Sequence, residues 1–498
     1  MPRSPRPELP QGPYLIVGLR RAGLAAARAL AGRGSLHAWD RDHRPDTERA
    51  RAELAVAGVA VTLGGDGIAL LDGIRTVVKS PGVRPDTPVI KVARRRGIET
   101  IDELELGWRL DPSPILAVTG TNGKSTAAAL LVAVLAAAGR RPALAGNTFD
   151  GPPLSAVPRD GHDCVVAEVS SYQAEAVARF LPDAALFTNL TRDHIHRHGS
   201  MAAYGTAKRR VFVDRKRAVP LASINGDDRF GRRLAEDVRA RGGTALTYGT
   251  CASNDYRIGA VASTLTGATF HIETPAGRAD LQTRLPGVHN ALNVAAVLAL
   301  ADGLDVDRAA SLAALAAADP PPGRFEPVPT EHRFDIVVDF AYSPDSVANV
   351  LDTARAIAAA RDGRAIAVLG VAAGGDRRTR ELVGRAARER ADVLVLSAWS
   401  LRGEPPVVSL QGLLAGARAA SGGSLECVLD RRAAIARGLT HARPGDVVAV
   451  LGRGDMALIA HDGHGGRTRF DDREVVRELL AQPTRTDTSN APASSTDT

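Results

Sequence analysis

Residues 114–138 constrain this chain more than any other stretch. "PILAVTG" (114–120) is an apolar run that reads as a buried strand, and the alanine-rich run after Lys124 reads as a helix. Only the short "TNGK" (121–124) lies between them. A strand that passes into a helix through glycines turns backbone N–H groups and the helix dipole toward an anion. The common nucleotide P-loop carries a glycine five residues before its final Gly-Lys; Val118 stands there, so this loop is a shortened form. Gly120 and Gly123 permit the tight turn, Lys124 is placed to meet β- and γ-phosphates, and the hydroxyl of Ser125 or Thr126 can ligate Mg²⁺.

The same alternation of strand and helix runs through the whole chain. "YLIVGL" (14–19), "LHAWD" (36–40) and "RTVVKS" (75–80) read as strands of an N-terminal unit. Its first turn, "GLRRAG" (18–23), has Arg20 where a dinucleotide fingerprint needs its middle glycine, which argues against bound NAD. "DCVVAEVS" (163–170), "AALFTNL" (184–190) and "RAVPLASIN" (217–225) continue the central segment. "AALAAADPPPGRFEPV" (313–328) reads as a linker, because three consecutive prolines remove backbone donors and stop a helix. "FDIVVDFA" (334–341), "AIAVLGV" (365–371), "ADVLVLS" (391–397) and "DVVAVLGRG" (446–454) form a third segment.

The expected fold is therefore α/β, with parallel sheets covered by helices in three domains. These are an N-terminal Rossmann-like domain (1–110), a central P-loop-type ATPase domain (111–318) and a C-terminal Rossmann-like domain (319–482). The tail (483–498) has nothing apolar to bury and is expected to be disordered.

Composition narrows the class of partner. A chain of 498 residues exceeds one hydrophobic core. The formal charge of +7 suits an anionic ligand, but only 4% of residues are aromatic and the basic residues are dispersed, which argues against nucleic acid. The three cysteines lie far apart, no run approaches a membrane span, and the N-terminus lacks the apolar core of a signal peptide. The expectation is a cytoplasmic monomer without membrane insertion.

Downstream of the loop, "AEVSSYQAE" (167–175), "FTNLTRDHIHRHGS" (187–200), "AYGTAKRRVF" (203–212), "GVHNALN" (287–293) and "PPGRFEPV" (321–328) occur in an order that resembles the Mur ligase superfamily. Members of that family couple ATP hydrolysis to amide formation. The resemblance implies that Gly120, Thr121, Asn122, Gly123, Lys124, Ser125 and Thr126 bind the ATP phosphates. It implies two Mg²⁺ sites held by Ser125, Glu168, His194 and a Lys208 carried as a carbamate, with Lys124, Glu168, His194 and Lys208 forming the catalytic set. Asn290 and Asn293 resemble adenine contacts, Arg324 an ATP contact and Asp339 a ribose contact. Taken alone, Glu168 is a solvated strand end, His194 a loop histidine, Lys208 a surface charge and Asn290 a helix cap. His194, His196 and His198 also resemble a zinc cluster, although no cysteines partner them.

The N-terminal unit resembles the D-glutamate-adding branch, which acts on a UDP-sugar-linked substrate. In that resemblance Arg20, Arg21, Asp40, Arg41, Ser80 and Gly82 contact the UDP part, Asn147 contacts the substrate diphosphate and Ser170 lies near the acceptor. The C-terminal segment differs. "DFAYSPDS" (339–346) and "LGRGDMALI" (451–459) look like the diaminopimelate- or lysine-adding branch, yet that branch's D-N-P-R motif is replaced by "SAWSLRGEPP" (397–406). Arg377, Arg378 and Arg453 are candidate partners for the carboxylate of the incoming amino acid. The implied reaction is addition of D-glutamate through an acyl phosphate. Addition of L-glutamate or a diamino acid, and a non-catalytic ATP-binding partner subunit, are the alternatives.

Overall fold

The computed structural model describes residues 5–148, 151–371, 376–398, 405–460 and 467–481; the tail expected to be disordered and most of "SAWSLRGEPP" lie outside them. Three main sheets are present, and the chain divides into two compact units, Met1–Pro321 and Pro322–Thr498.

The first sheet contains β1 (Tyr14–Val17), β2 (Leu36–Asp40), β3 (Ala60–Leu63), β4 (Thr76–Lys79) and β5 (Glu99–Asp102). They lie in the order β3-β2-β1-β4-β5, and every pairing is parallel. Reversal of strand order beside β1 puts the loops after β1 and β4 at the carboxyl edge, where ligands of doubly wound sheets bind. Those loops hold Arg20, Arg21, Ser80 and Gly82.

The second sheet is larger. Its strands are β6 (Ile115–Thr119), β7 (Pro142–Gly146), β8 (Cys164–Glu168), β9 (Ala184–Phe187), β10 (Leu221–Asn225), β11 (Thr244–Gly249), β12 (Tyr256–Ile258), β13 (Ala262–Thr264), β14 (Gly267–Thr274) and β15 (Gly277–Thr283). β6 lies between β8 and β9, buried along its whole length, so the phosphate loop leaves the middle of the sheet. The β13, β14 and β15 pairings are antiparallel, a departure from the expected wholly parallel sheet.

The helix Glu103–Leu110 explains why the first two sheets share one unit. Asp102 caps it by accepting from Leu104 N at 3.2 Å. Its Leu106 joins the core beneath the first sheet, whereas Leu104 and Trp108 join the core of the second. The expected boundary at residue 110 therefore falls at the end of a helix that serves both cores.

The second unit holds β16 (Glu326–Pro327), β17 (Asp335–Asp339), β18 (Ala365–Val371), β19 (Val393–Ala398), β20 (Ser424–Cys427) and β21 (Val447–Leu451) in the order β16-β17-β21-β18-β19-β20. Only β16 runs antiparallel to its neighbour. β18 and β21 are completely buried, as expected of central strands covered on both faces.

Candidate functional site

The loop between β6 and the helix Lys124–Ala137 is held from outside. Gly120 has φ +153°, and a Cβ there would stand 1.8 Å from Thr188 Oγ1. Gly123, at φ +84°, would drive a Cβ to 2.6 Å from Asn293 Oδ1. The positive φ at both positions disfavours any residue but glycine, and at Gly120 the approach to Thr188 adds a close contact. The N–H of Thr121 donates to Asn189 O at 2.8 Å, and that of Asn122 to Asn189 Oδ1 at 2.9 Å. Lys124 curls back so that its Nζ donates to Thr121 O at 2.9 Å.

Glu168 ends β8, directly beside β6, and is only 2% exposed. Ser125 Oγ donates to its Oε2 at 2.7 Å, and Asn147 Nδ2 donates to its Oε1 at 3.0 Å. A buried carboxylate met by two neutral donors, next to a phosphate-loop hydroxyl, has the chemistry of a hard-cation site. Among the described residues no cluster of three His, Cys, Asp or Glu side chains could hold a metal unaided. Ser125 and Glu168 supply oxygen donors of the kind Mg²⁺ takes, one or two from protein with its shell completed by substrate phosphates and water.

Lys208 approaches from the helix Met201–Arg209 and is 1% exposed. Its Nζ donates to Gly120 O and lies 4.7 Å from the ring centroid of Tyr204. Burial, reinforced by Lys124, pushes its pKa well below the usual lysine value; Asp193 and Glu168 pull the other way. A neutral amine in that position can take up carbon dioxide as a carbamate. Tyr204 OH also meets Thr121 Oγ1 at 3.2 Å, so this tyrosine supports both loop and lysine.

His194 adopts a left-handed conformation with φ 54°, a strained choice for a side chain with a Cβ. Its Nε2 lies 3.4 Å from Asp193 Oδ2 and its Nδ1 3.4 Å from Tyr172 OH. Burial drives its pKa down to about 4 against the pull of Asp193, with Lys124 and Lys208 adding to the fall. The imidazole is therefore neutral near neutral pH and has a lone pair for a metal.

The structure thus brings Lys124, Ser125, Asn147, Glu168, His194 and Lys208 around one loop. Thr126 is buried in the first turn of the loop's helix. Asn290 and Asn293 lie 5% exposed on the helix Val288–Gly303. Asn290 Nδ2 is engaged with Pro286 O at 2.7 Å, and Asn293 is the residue packed on Gly123. Ser170 caps the short helix Ser171–Ala174 in a reciprocal arrangement with Gln173, so its hydroxyl has a local structural partner.

On the N-terminal side Asp40 accepts from Leu19 N at 2.7 Å and from Asp42 N at 2.9 Å, which fixes the turn after β1. Arg20 and Arg41 are exposed. Arg21 donates to Thr148 O at 2.9 Å, just after Asn147, and thereby links the first sheet's turn to the loop after β7. Ser80 is buried, and its N–H donates to Val17 O at 2.9 Å. Gly82 O accepts from Arg197 at 3.1 Å. Arg197, Tyr172 and Tyr204 are the residues that sequence reasoning missed.

Within the second unit Asp339 ends β17, accepts from Phe325 N and Ala341 N, each at 2.6 Å, and has its pKa raised by burial. Arg324 lies 4.5 Å over the Phe340 ring and 3.7 Å from Asp455 Oδ1. Arg377 and Arg378 are exposed and paired with Glu381 at 3.0 and 3.2 Å. Arg453, by contrast, is fully buried; it lies 3.6 Å from Asp472 and donates to Met456 O at 2.7 Å. Its guanidinium is therefore held inside the unit by the carbonyls of Met456 and Phe470, beside an Asp472 carboxylate that Arg431 engages at 2.7 Å.

Fold and loop together define an α/β protein built around a shortened phosphate loop with a buried carboxylate beside it. Family models agree, matching residues 118–301 as the Mur ligase middle domain and residues 323–454 as the Mur ligase glutamate ligase domain. The chain is 34% identical over 419 residues to a UDP-N-acetylmuramoyl-L-alanyl-D-glutamate–2,6-diaminopimelate ligase of Chromobacterium violaceum, covering 80% of this chain and 82% of the relative. It is 32% identical over 446 residues to a UDP-N-acetylmuramoylalanine–D-glutamate ligase of Pelotomaculum thermopropionicum, covering 87% and 91%. The fold resembles that of MurF from Acinetobacter baumannii with TM-score 0.59 at 16% identity, over 94% of this chain and 93% of that one. The chain belongs to the Mur ligase superfamily, the ATP-dependent amide ligases of peptidoglycan synthesis. Among the described residues no helix is long and apolar enough to cross a membrane.

Proposed function

We propose that this chain joins a carboxylate of a UDP-N-acetylmuramoyl-linked acceptor to the amino group of an amino acid, splitting ATP to ADP and phosphate. The observation behind this reading is the convergence of Lys124, Ser125, Glu168, His194 and Lys208 on one loop. A carboxylate oxygen of the acceptor attacks the γ-phosphorus while the bond to the ADP oxygen breaks, giving an acyl phosphate. The amine then attacks the acyl carbon, loses a proton, and phosphate leaves with one oxygen of the original carboxylate. Lys124 offsets negative charge that grows on the transferred phosphoryl group. Ser125, Glu168, His194 and a carbamylated Lys208 would hold two Mg²⁺ ions, which when bound neutralise the phosphate oxygens. Asn147, Ser170, Arg20, Arg21, Arg41, Ser80 and Gly82 form the proposed acceptor side, and Asp40 acts there through the turn it holds.

The amino acid is read first as a 2,6-diamino acid. The relative in Chromobacterium violaceum carries that specificity in its name, and "DFAYSPDS" and "LGRGDMALI" resemble that branch. D-glutamate is the second reading, favoured by the N-terminal unit and by the wider coverage of the Pelotomaculum thermopropionicum relative. Arg377, Arg378 and Arg453 remain proposals for the amino-acid carboxylate, the first two having the exposure this needs.

ADP release with UDP-N-acetylmuramoyl-L-alanine or its D-glutamyl dipeptide, each with D-glutamate, L-glutamate or 2,6-diaminopimelate, separates these readings. Lys124→Ala abolishes acceptor-dependent ADP release. Retention of that release would sink the phosphate-loop assignment, and a wild type inert with every pair would favour a non-catalytic ATP-binding subunit.

A further inference from the structure

One side chain joins the loop proposed for the UDP part to the loop that carries His194. Arg197 lies in the short helix Ile195–His198, directly after His194, and its side chain is 6% exposed. Its guanidinium crosses to the first sheet and donates to three successive carbonyls of the loop after β4. The acceptors are Pro81 O at 3.2 Å, Gly82 O at 3.1 Å and Val83 O at 2.9 Å.

The other edge of the guanidinium is held by Glu175, at the end of the short helix Ser171–Ala174. Arg197 Nε donates to Glu175 Oε1 at 3.1 Å and Oε2 at 3.3 Å. The guanidinium carbon lies 4.6 Å from the centroid of the Tyr172 ring, whose hydroxyl in turn meets His194 Nδ1 at 3.4 Å. Five donors in a rigid plane suit this double duty; a lysine ammonium, with three donors at one point, cannot span both edges. The buried guanidinium is compensated by Glu175, which is itself 11% exposed.

We infer that Arg197 is a positioning residue. It fixes the Pro81–Val83 loop against the Tyr172–His194 segment, so that the UDP-anchored acceptor presents its carboxylate in line with the γ-phosphate. This rests on the proposed ligase reading. A shift of an ångström between two such loops is enough to remove most of the benefit of alignment.

The test is steady-state kinetics of Arg197→Lys and Arg197→Ala, with melting temperature and ADP affinity measured in parallel. Arg197→Lys keeps the fold and the charge, yet its KM for the UDP-linked acceptor rises ~10-fold and its kcat falls ~10-fold, while KM for ATP stays within about twofold. Arg197→Ala shows the same split, larger. If Arg197→Ala does not fold, Glu175→Gln provides the second variant, and it raises the acceptor KM without changing ADP affinity. Unaltered acceptor kinetics in a folded Arg197→Lys overturns the inference, as does a parallel rise in both KM values, which marks a merely structural role. An active wild type beside either result faults this inference alone. A wild type that releases no ADP with any acceptor overturns the ligase reading and this inference with it.

Discussion

Ser125 donates its hydroxyl to Glu168 Oε2 across 2.7 Å, joining the first turn of the phosphate-loop helix to the end of β8. The two residues are 43 apart in sequence, yet neighbouring parallel strands bring them together at one sheet edge. With Asn147 on the other carboxylate oxygen, Glu168 is fixed in place and its negative charge is met by neutral donors.

Glu168→Gln keeps the shape of this contact and removes its charge. Activity should fall ~100-fold or more, because the charge that steadies a divalent cation at the phosphates is gone. The melting temperature should stay within about 2 °C, since a neutral amide can still accept at least one of the two bonds. A magnesium titration of ADP release reads the difference. An unchanged magnesium requirement would remove Glu168 from the metal site.

Lys208 is buried, has its pKa lowered by that burial and is in contact with the phosphate loop. Lys208→Ala should lose ~100-fold or more in kcat, and formate or acetate should restore part of it by supplying the missing carboxylate-like charge. Wild-type enzyme stripped of carbon dioxide should lose activity and regain it with bicarbonate. Indifference to bicarbonate together with no rescue by small carboxylates would contradict the carbamate.

Stability should depend on pH through Glu103. Burial raises its carboxyl pKa to about 7 from 4.5, opposed by hydrogen bonding to Ser155 and assisted by Asp102, which burial itself raises to about 6. A raised folded-state pKa means the fold holds a proton that the unfolded chain releases. The stabilisation is thus complete below the unfolded value of 4.5 and is lost as pH rises through about 7. Melting temperatures should be lower at about pH 8 than at about pH 5, and Glu103→Gln should flatten that slope, recovering at most about 3 kcal/mol at the alkaline end. A slope unchanged by Glu103→Gln would assign the dependence elsewhere.

The central strands and the phosphate loop were legible because continuous apolar runs next to glycines have few other structural solutions. β14 and β15 escaped the parallel-sheet expectation, although "ATFHIET" and "GRADLQT" alternate as half-exposed antiparallel strands do. Lys208 carried no local sign of its role; only the fold buries it against Gly120. Arg453 reads as a free cation in sequence; the fold buries it beside Asp472, a carboxylate that Arg431 also engages and that comes from a helix near the end of the described chain. Arg197 carries no sign of its contacts in sequence, because the Gly82 carbonyl it meets is 115 residues away.

The central claim is that ATP phosphorylates a carboxylate. An acceptor whose carboxylate carries a heavy-oxygen label, turned over with ATP and the accepted amino acid, tests it by mass analysis of the released phosphate. Passage through an acyl phosphate places one labelled oxygen in each phosphate. Phosphate free of label, with both labelled atoms still on the acceptor or lost to water, would contradict the account.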